Sequence, residues 1–144
     1  MRPTWVTVDL EAVAYNVAVF RDLVAPAEVC AVVKADGYGH GALPVAQAAL
    51  GAGATWLAVA LVEEAAALRG GGLDAPILLL SEPRREEMAE VVMLGGVRPT
   101  VYTEAGIRAF AAVADPGAPV HLKVDTGMHR VGVRPAEADR KSVV

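Results

Sequence analysis

One lysine stands where an apolar strand is expected to end. Residues 29–33 read VCAVV, a short β-branched run of the kind that parallel sheets bury on both faces, and Lys34 follows directly. Burial favours a neutral amine, which can condense with an aldehyde. A lysine that extends its charge into water from a strand end would have the same sequence. The next loop holds Tyr38 and three glycines within residues 37–41, so its backbone can approach a ligand closely. The helix start that follows favours an anion such as phosphate.

A second polar group follows the last expected strand, about 90 residues later. The strand, residues 120–124, carries Lys123 near its end, and the polar loop after it adds Asp125, Met128, His129 and Arg130. In parallel α/β folds the active sites lie at the carboxyl ends of the strands. We therefore expect both groups to lie at one edge of the sheet.

The elements that must position these side chains alternate between strand and helix periods. A first strand is expected at Val6–Leu10, followed by a helix that carries Val13, Val17 and Phe20 near one face. The buried strands are expected at 29–33, 56–60, 77–80, 98–102 and 120–124, and the helices at 42–50, 62–69, 84–94 and 103–114. Thr103 is expected to cap the last of these helices. Strand starts separated by roughly 21 to 27 residues indicate repeated βα units and a parallel sheet. The sheet is either doubly wound or part of a (β/α)8 barrel, which takes about 250 residues when complete.

Composition excludes several classes of protein. The chain has 144 residues, 54% of them hydrophobic, and a net charge of -4, so disorder and a general affinity for nucleic acid are not expected. The apolar stretch Leu57–Val62 is too short to cross a membrane, and no secretory signal is expected at the N-terminus. We therefore expect a cytoplasmic protein that binds neither membrane nor nucleic acid. The single cysteine, Cys30, is expected to be a small buried side chain in a reducing compartment.

Other polar residues are expected to be structural. The three histidines show no metal-ligand spacing, so no metal is expected, and His121 is expected to pack in the core. Glu63, Glu64 and residues 84–87 (RREE) are expected to lie on solvated helix faces with weak local ion pairs.

Three segments of the sequence resemble the bacterial alanine racemases. They are residues 33–41, VKADGYGHG; residues 122–132, LKVDTGMHRVG; and residues 4–13, TWVTVDLEAV, with Asn16. The first looks like the family's attachment motif for pyridoxal phosphate. The resemblance covers residues 4 to 134, and two long motifs in the right order are specific. His129 stands where the family commonly has a small residue.

The resemblance implies a fold and a set of site residues. The family has a (β/α)8 barrel of the TIM type, of which about the first five βα units would be present here. Lys34 would be the Schiff-base lysine and the base on one face of the substrate α-carbon. Tyr38 would bond the phosphate of pyridoxal 5'-phosphate, and Arg130 would contact the cofactor and the substrate carboxylate. Lys123 would be the lysine that is often carbamylated in the family.

The resemblance also implies an activity and its limits. The enzyme would interconvert L- and D-alanine, supplying D-alanine for peptidoglycan, and would be a homodimer. We expect residues 1–144 to form the N-terminal part of the barrel domain, without the family's C-terminal β domain and its tyrosine, the second base. The chain alone is therefore expected to be nearly inactive. A broad-specificity amino-acid racemase, or a truncated product that only binds cofactor, remains an alternative.

Overall fold

A computed structural model describes residues 2–141, and its first element is a helix. Helix α1 spans Leu10–Val24 and packs against α3 (Ala42–Gly51). The strand expected at Val6–Leu10 is wrong, because residues 2–9 pair with no strand in the described chain. Asp9 instead caps α1, since its carboxylate accepts the Ala12 N–H at 3.0 Å. The period-two pattern did not produce a strand, because none of the strands within residues 2–141 pairs with this segment.

The five strands expected to be buried all form where the sequence predicts them, the fourth as two short strands, and every pairing between them is parallel. The strands are β1 (Cys30–Val32), β2 (Trp56–Val59), β3 (Ile77–Leu79), β4 (Val97–Arg98), β5 (Thr100–Val101) and β6 (His121–Leu122). The first four form one sheet in the order β1-β2-β3-β4, and β5 pairs with β6. Pro99 divides the fourth expected strand into β4 and β5. Its carbonyl accepts the His121 N–H at 2.9 Å, so the division does not interrupt the contact with β6.

Helices connect successive strands, as the βα spacing predicts. Their ranges are α2 (Lys34–Gly39), α3 (Ala42–Gly51), α4 (Val62–Gly70), a 3-10 turn at Arg85–Glu87, α5 (Met88–Met93), α6 (Glu104–Ala111) and α7 (Pro135–Lys141). Thr103 caps α6 as expected, accepting the Gly106 N–H at 2.9 Å. None of the helices within residues 2–141 is both long enough and apolar enough to cross a membrane.

The core lies between one face of the sheet and helices α3 to α6. Buried strand side chains meet buried helix side chains there, with Leu57, Val59, Ile77 and Leu79 from the sheet and Leu68, Val91 and Phe110 among those from the helices. On the opposite face, Cys30, Val32 and His121 are exposed, and Trp56 and Arg98 are half-buried. A doubly wound sheet has helices on both faces, whereas a barrel has them only outside. The described chain therefore has the architecture of part of a barrel, with its inner face open.

Two residues expected in the core lie on this inner face. Cys30 is exposed rather than buried, although the partial burial of its thiol raises the pKa of Cys30. His121 is also exposed. Its ring meets that of Trp56 edge-on, with 6.1 Å between centroids and 81° between planes. Both expectations were wrong for the same reason: their strands have one covered face, and these side chains alternate onto the other.

Candidate functional site

The residues after Lys34 form a left-handed helical turn. Ala35, Asp36, Gly37 and Tyr38 have φ values of 51°, 52°, 61° and 56° with positive ψ, which is the left-handed helical region. Only glycine adopts this region freely, and for other residues it costs about 1–2 kcal/mol each. Backbone of this kind persists where surrounding contacts hold it, and it is concentrated at functional sites.

Hydrogen bonds at both ends hold the turn. The Gly37 N–H donates to the Val33 carbonyl at 2.9 Å, and the Gly41 N–H donates to the Asp36 carbonyl at 2.8 Å. The Asp36 carboxylate accepts the Ala42 N–H at 2.8 Å, which is the first N–H of α3. This helix start is thus bonded to the chain's own carboxylate. An anion bound there would have to share the position with a negative charge, which weighs against the phosphate expected at this helix end.

Lys34 lies at the carboxyl end of β1, beside the ring of Tyr38. Its side chain is half-buried, and its Nζ atom lies 5.8 Å from the centroid of the Tyr38 ring. This is within the range of a cation–π contact. Tyr38 is 58% exposed, so its hydroxyl is available to a ligand. The turn thus brings together the two residues that the sequence predicts on this loop.

Glu64 contacts the same turn and was missed by the sequence interpretation. Its Oε1 atom accepts the Ala35 N–H at 2.5 Å, while Oε2 accepts the Ala60 and Leu61 N–H groups at 2.8 and 3.0 Å. The expected solvated position is therefore wrong for Glu64, although Glu63 is exposed. The available signal was a glutamate three residues after a helix cap, but Leu61 at the cap position lacks the serine or threonine of the usual pattern.

Glu82 makes a similar bridge farther along the same edge. It follows β3 and accepts the Tyr102 and Thr103 N–H groups at 2.6 and 2.9 Å and the Thr103 hydroxyl at 2.6 Å. By contrast, Arg84 forms the expected local ion pair with Glu87, at 2.6 Å and with 69% of the Arg84 side chain exposed. The hydrogen bond from Arg84 lowers the pKa of Glu87.

The loop after β6 is organised by Asp125. Its Oδ1 atom accepts the N–H groups of Gly127 and His129, both at 3.0 Å, and Oδ2 lies 3.1 Å from Nδ1 of His129. The backbone N–H groups of His129 and Gly127 hold the pKa of Asp125 below its usual value. His129 has a φ of 56°, a conformation that favours glycine. A small residue would suit this position, and here the ring is accommodated by its contact with Asp125.

Lys123 and Arg130 belong to this second loop and are both exposed. The Val133 N–H donates to the Lys123 carbonyl at 2.9 Å, which closes the loop beside the isolated pairing of Val124 with Val133. Lys34 and Lys123 each follow a strand, and parallel strands have their carboxyl ends at the same edge of the sheet. The structure places them on that edge after β1 and β6, the first and last strands of the series. Within residues 2–141, no group of three His, Cys, Asp or Glu side chains is arranged to hold a metal ion.

Comparison with known proteins agrees with this arrangement. The family model described as "Alanine racemase, N-terminal domain" matches residues 8–142. The alanine racemase of Symbiobacterium thermophilum is 48% identical over 143 residues, which are 97% of this chain and 38% of that protein. The alanine racemase of Thermobifida fusca is 45% identical over 133 residues, 90% of this chain and 35% of that protein.

Solved structures show the same likeness. The alanine racemase from Bacillus anthracis with bound L-Ala-P superposes with a TM-score of 0.85 and 35% identity, over 98% of this chain and 37% of that one. The alanine racemase from E. faecalis gives a TM-score of 0.85 and 37% identity, over 94% of this chain and 38% of that one. The chain thus spans less than two-fifths of the length of these relatives. The family match, covering most of the chain, and the partial barrel together show that this chain belongs to the alanine racemase family.

Proposed function

We propose that this chain forms the cofactor-binding part of an alanine racemase, which interconverts L- and D-alanine with pyridoxal 5'-phosphate. The observation that supports this most is Lys34 on its left-handed turn, at the carboxyl end of β1. The two carboxyl-edge loops carry the family's two long motifs in order. The names of the relatives support the reaction, which would supply D-alanine for peptidoglycan in the cytoplasm.

The side chains of this edge fit pyridoxal phosphate. Lys34 is half-buried and its amine lies beside the Tyr38 ring, where it could hold the cofactor by replacing the aldehyde oxygen, which would leave as water. The exposed phenol of Tyr38 can donate to a phosphate oxygen. Arg130 is an exposed guanidinium, a donor set that matches a carboxylate. The bound cofactor would supply the electron sink that lowers the energy of the α-carbanion.

Each residue then has a separate task. Lys34 holds the cofactor and moves a proton at its Nζ atom on one face of the substrate α-carbon. Arg130 orients the substrate carboxylate. Lys123, if carbamylated, carries a negative charge that orients the Arg130 guanidinium. Racemisation also needs a base on the other face, which in the family is a tyrosine of the partner subunit's C-terminal domain. The three tyrosines of this sequence are Tyr15, Tyr38 and Tyr102.

Two alternatives follow from the same site. A broad-specificity amino-acid racemase would use the same lysine on other substrates. A chain that binds the cofactor without turnover is favoured by the open inner face, where Val32 is 40% exposed. These alternatives are separated by testing alanine and other amino acids as substrates.

Cofactor attachment tests the proposal directly. The purified chain is mixed with pyridoxal phosphate, reduced with borohydride, digested and mapped by mass spectrometry. We expect the label on Lys34 and its loss in Lys34→Ala, with Arg85→Ala as an exposed control. Label distributed evenly over Lys34, Lys123 and Lys141, or a total label unchanged in Lys34→Ala, would contradict the assignment.

Turnover of the 144 residues alone is a separate measurement. We expect D-alanine formation to be very weak or absent, since the family's second base is a tyrosine of the C-terminal domain, whereas residues 8–142 match the N-terminal domain. Turnover comparable to that of ordinary enzymes, about 1–1000 per second, would show that another group in this chain takes that role.

A further inference from the structure

The Glu64 carboxylate joins two successive βα units at the edge where Lys34 lies. One oxygen accepts the Ala35 N–H at 2.5 Å, in the turn after β1. The other accepts the N–H groups of Ala60 and Leu61 at 2.8 and 3.0 Å, after β2. A carboxylate that only capped α4 would need the Leu61 contact alone. We propose that Glu64 is a positioning residue, which holds the left-handed turn and thereby sets the direction of the Lys34 side chain.

The peptide groups on both sides of Lys34 are hydrogen-bonded. The group before it is held through the Val33 carbonyl, which accepts the Gly37 N–H at 2.9 Å. The group after it is held through the Ala35 N–H, which donates to Glu64. The orientation of these two peptide planes determines the direction of the Cα–Cβ bond of Lys34. Loss of the Glu64 contact would release the second plane.

The turn needs such an external contact because its backbone is unfavourable by itself. Ala35 and Asp36 have φ values of 51° and 52°, each costing about 1–2 kcal/mol relative to the right-handed region. Three N–H donors converge on Glu64, so an ionised carboxylate satisfies all of them, and bonds to a charged acceptor are stronger than neutral ones. A glutamine has one acceptor oxygen and would turn an NH₂ group towards a donor. Glutamine has nearly the same size as glutamate but therefore does not reproduce its hydrogen bonds.

The inference about Glu64 rests on the proposed role of Lys34, and the experiment tests the two roles separately. Glu64→Ala and Glu64→Gln are compared with two controls in the full chain. Glu63→Ala changes the exposed neighbour in the same helical turn. Glu82→Ala removes a carboxylate that makes a similar bridge between β3 and α6, so it controls for a general loss of stability.

Two measurements are made on each variant. Amide hydrogen exchange of residues 34–39 reports on the turn without any cofactor. Borohydride-trapped attachment of pyridoxal phosphate, mapped to Lys34, reports on the lysine. Thermal unfolding by circular dichroism shows which variants are folded.

We expect both Glu64 variants to exchange faster over residues 34–39 and to attach the cofactor at Lys34 about tenfold more slowly, since small misplacements of reacting groups have effects of this order or larger. Glu63→Ala should match the wild type in both measurements. Glu82→Ala should unfold at a lower temperature without changing either signal at Lys34.

Unchanged exchange in folded Glu64→Gln, or faster exchange with unchanged attachment, would overturn the inference. Equal effects of Glu82→Ala on the Lys34 turn would also overturn it. Absence of attachment in the wild type would contradict the proposed function instead. The exchange data alone would then decide whether Glu64 holds the turn.

Discussion

The guanidinium of Arg98 lies 4.5 Å from the centroid of the Trp56 ring. The two residues belong to different strands, β4 and β2, and both side chains lie on the open inner face of the sheet. In a closed barrel this face is filled by layers of side chains from alternate strands. Here the stacked pair covers part of an apolar surface that the helices do not reach.

Removing the charge of Arg98 tests the value of this pair. Arg98→Met keeps an unbranched apolar stem but removes the guanidinium and its cation–π contact, so we expect the free energy of unfolding to fall by about 0.5–1 kcal/mol. The measurement is urea unfolding followed by tryptophan fluorescence. Arg85→Met, at an exposed position, is the control and should leave the midpoint unchanged. An Arg98→Met midpoint equal to that of the wild type would show that the stack contributes nothing.

The same face predicts a pH dependence at His121. Desolvation of its ring, and then the positive charge of Arg98, lower the pKa of His121 below the usual value of about 6.5. The unfolded chain therefore binds more protons between the two values. This contribution to stability is complete above the unfolded pKa and is lost as the pH falls towards the folded pKa.

An NMR titration of the imidazole measures the shift. Arg98→Met should move the pKa of His121 upwards, because one of its two causes is removed. His121→Asn should remove the part of the pH dependence of stability that lies below about pH 6.5. A wild-type His121 pKa at or above the usual value would contradict the prediction.

Two glycines of the Lys34 loop should respond differently to alanine. Gly37 has a φ of 61°, and a Cβ there would lie 3.3 Å from both N and Cα of Ala42. Gly39 has a φ of 79° with nothing within 4 Å of its Cβ position. Both substitutions introduce backbone strain of about 1–2 kcal/mol, but only Gly37→Ala adds a contact with the start of α3. Thermal unfolding should therefore rank Gly37→Ala as the less stable variant, and the opposite order would refute the close approach.

The carboxyl of Asp125 should titrate below about 3.9, the usual value for aspartate. The cause is the pair of backbone N–H groups of His129 and Gly127, which stabilise the ionised form and lower the pKa of Asp125. The stabilisation is complete above the unfolded pKa and is lost as the pH falls through the folded value. Carbon-detected NMR titration measures it, and a pKa at or above the usual value would count against the loop geometry. Asp125→Asn keeps an acceptor oxygen but has no titrating carboxyl. The loss of loop stability at low pH should therefore disappear in this variant.

Much of the fold is predictable from local patterns. Short apolar runs predicted the five strand positions, and the change to helical spacing between them predicted the helices. Thr103 was identified as a helix cap because its short hydroxyl side chain can accept a backbone N–H. The strand expected at Val6–Leu10 failed because alternation states which side chains share a face, but not whether a partner strand exists.

Some residues of the candidate site were likewise predictable from the sequence, and one was not. Lys34 and Tyr38 were identifiable because their loop has an unusual composition for a strand end, and the structure brings the Lys34 amine to 5.8 Å from the Tyr38 ring centroid. Glu64 was not identifiable, because a glutamate in the first turn of a helix is ordinary in sequence. Its role depends on Ala35, which lies 29 residues earlier in the chain.

The sequence by itself determined the periodicity, the family motifs and the positions of the chemically active residues, all of which are local properties of the chain. The tertiary structure decided which sheet face is covered, because helix placement depends on the packing of distant elements. It exposed Cys30 and His121 for this reason. It also placed the Glu64 carboxylate against the turn after Lys34, since parallel strands bring the ends of successive βα units to one edge.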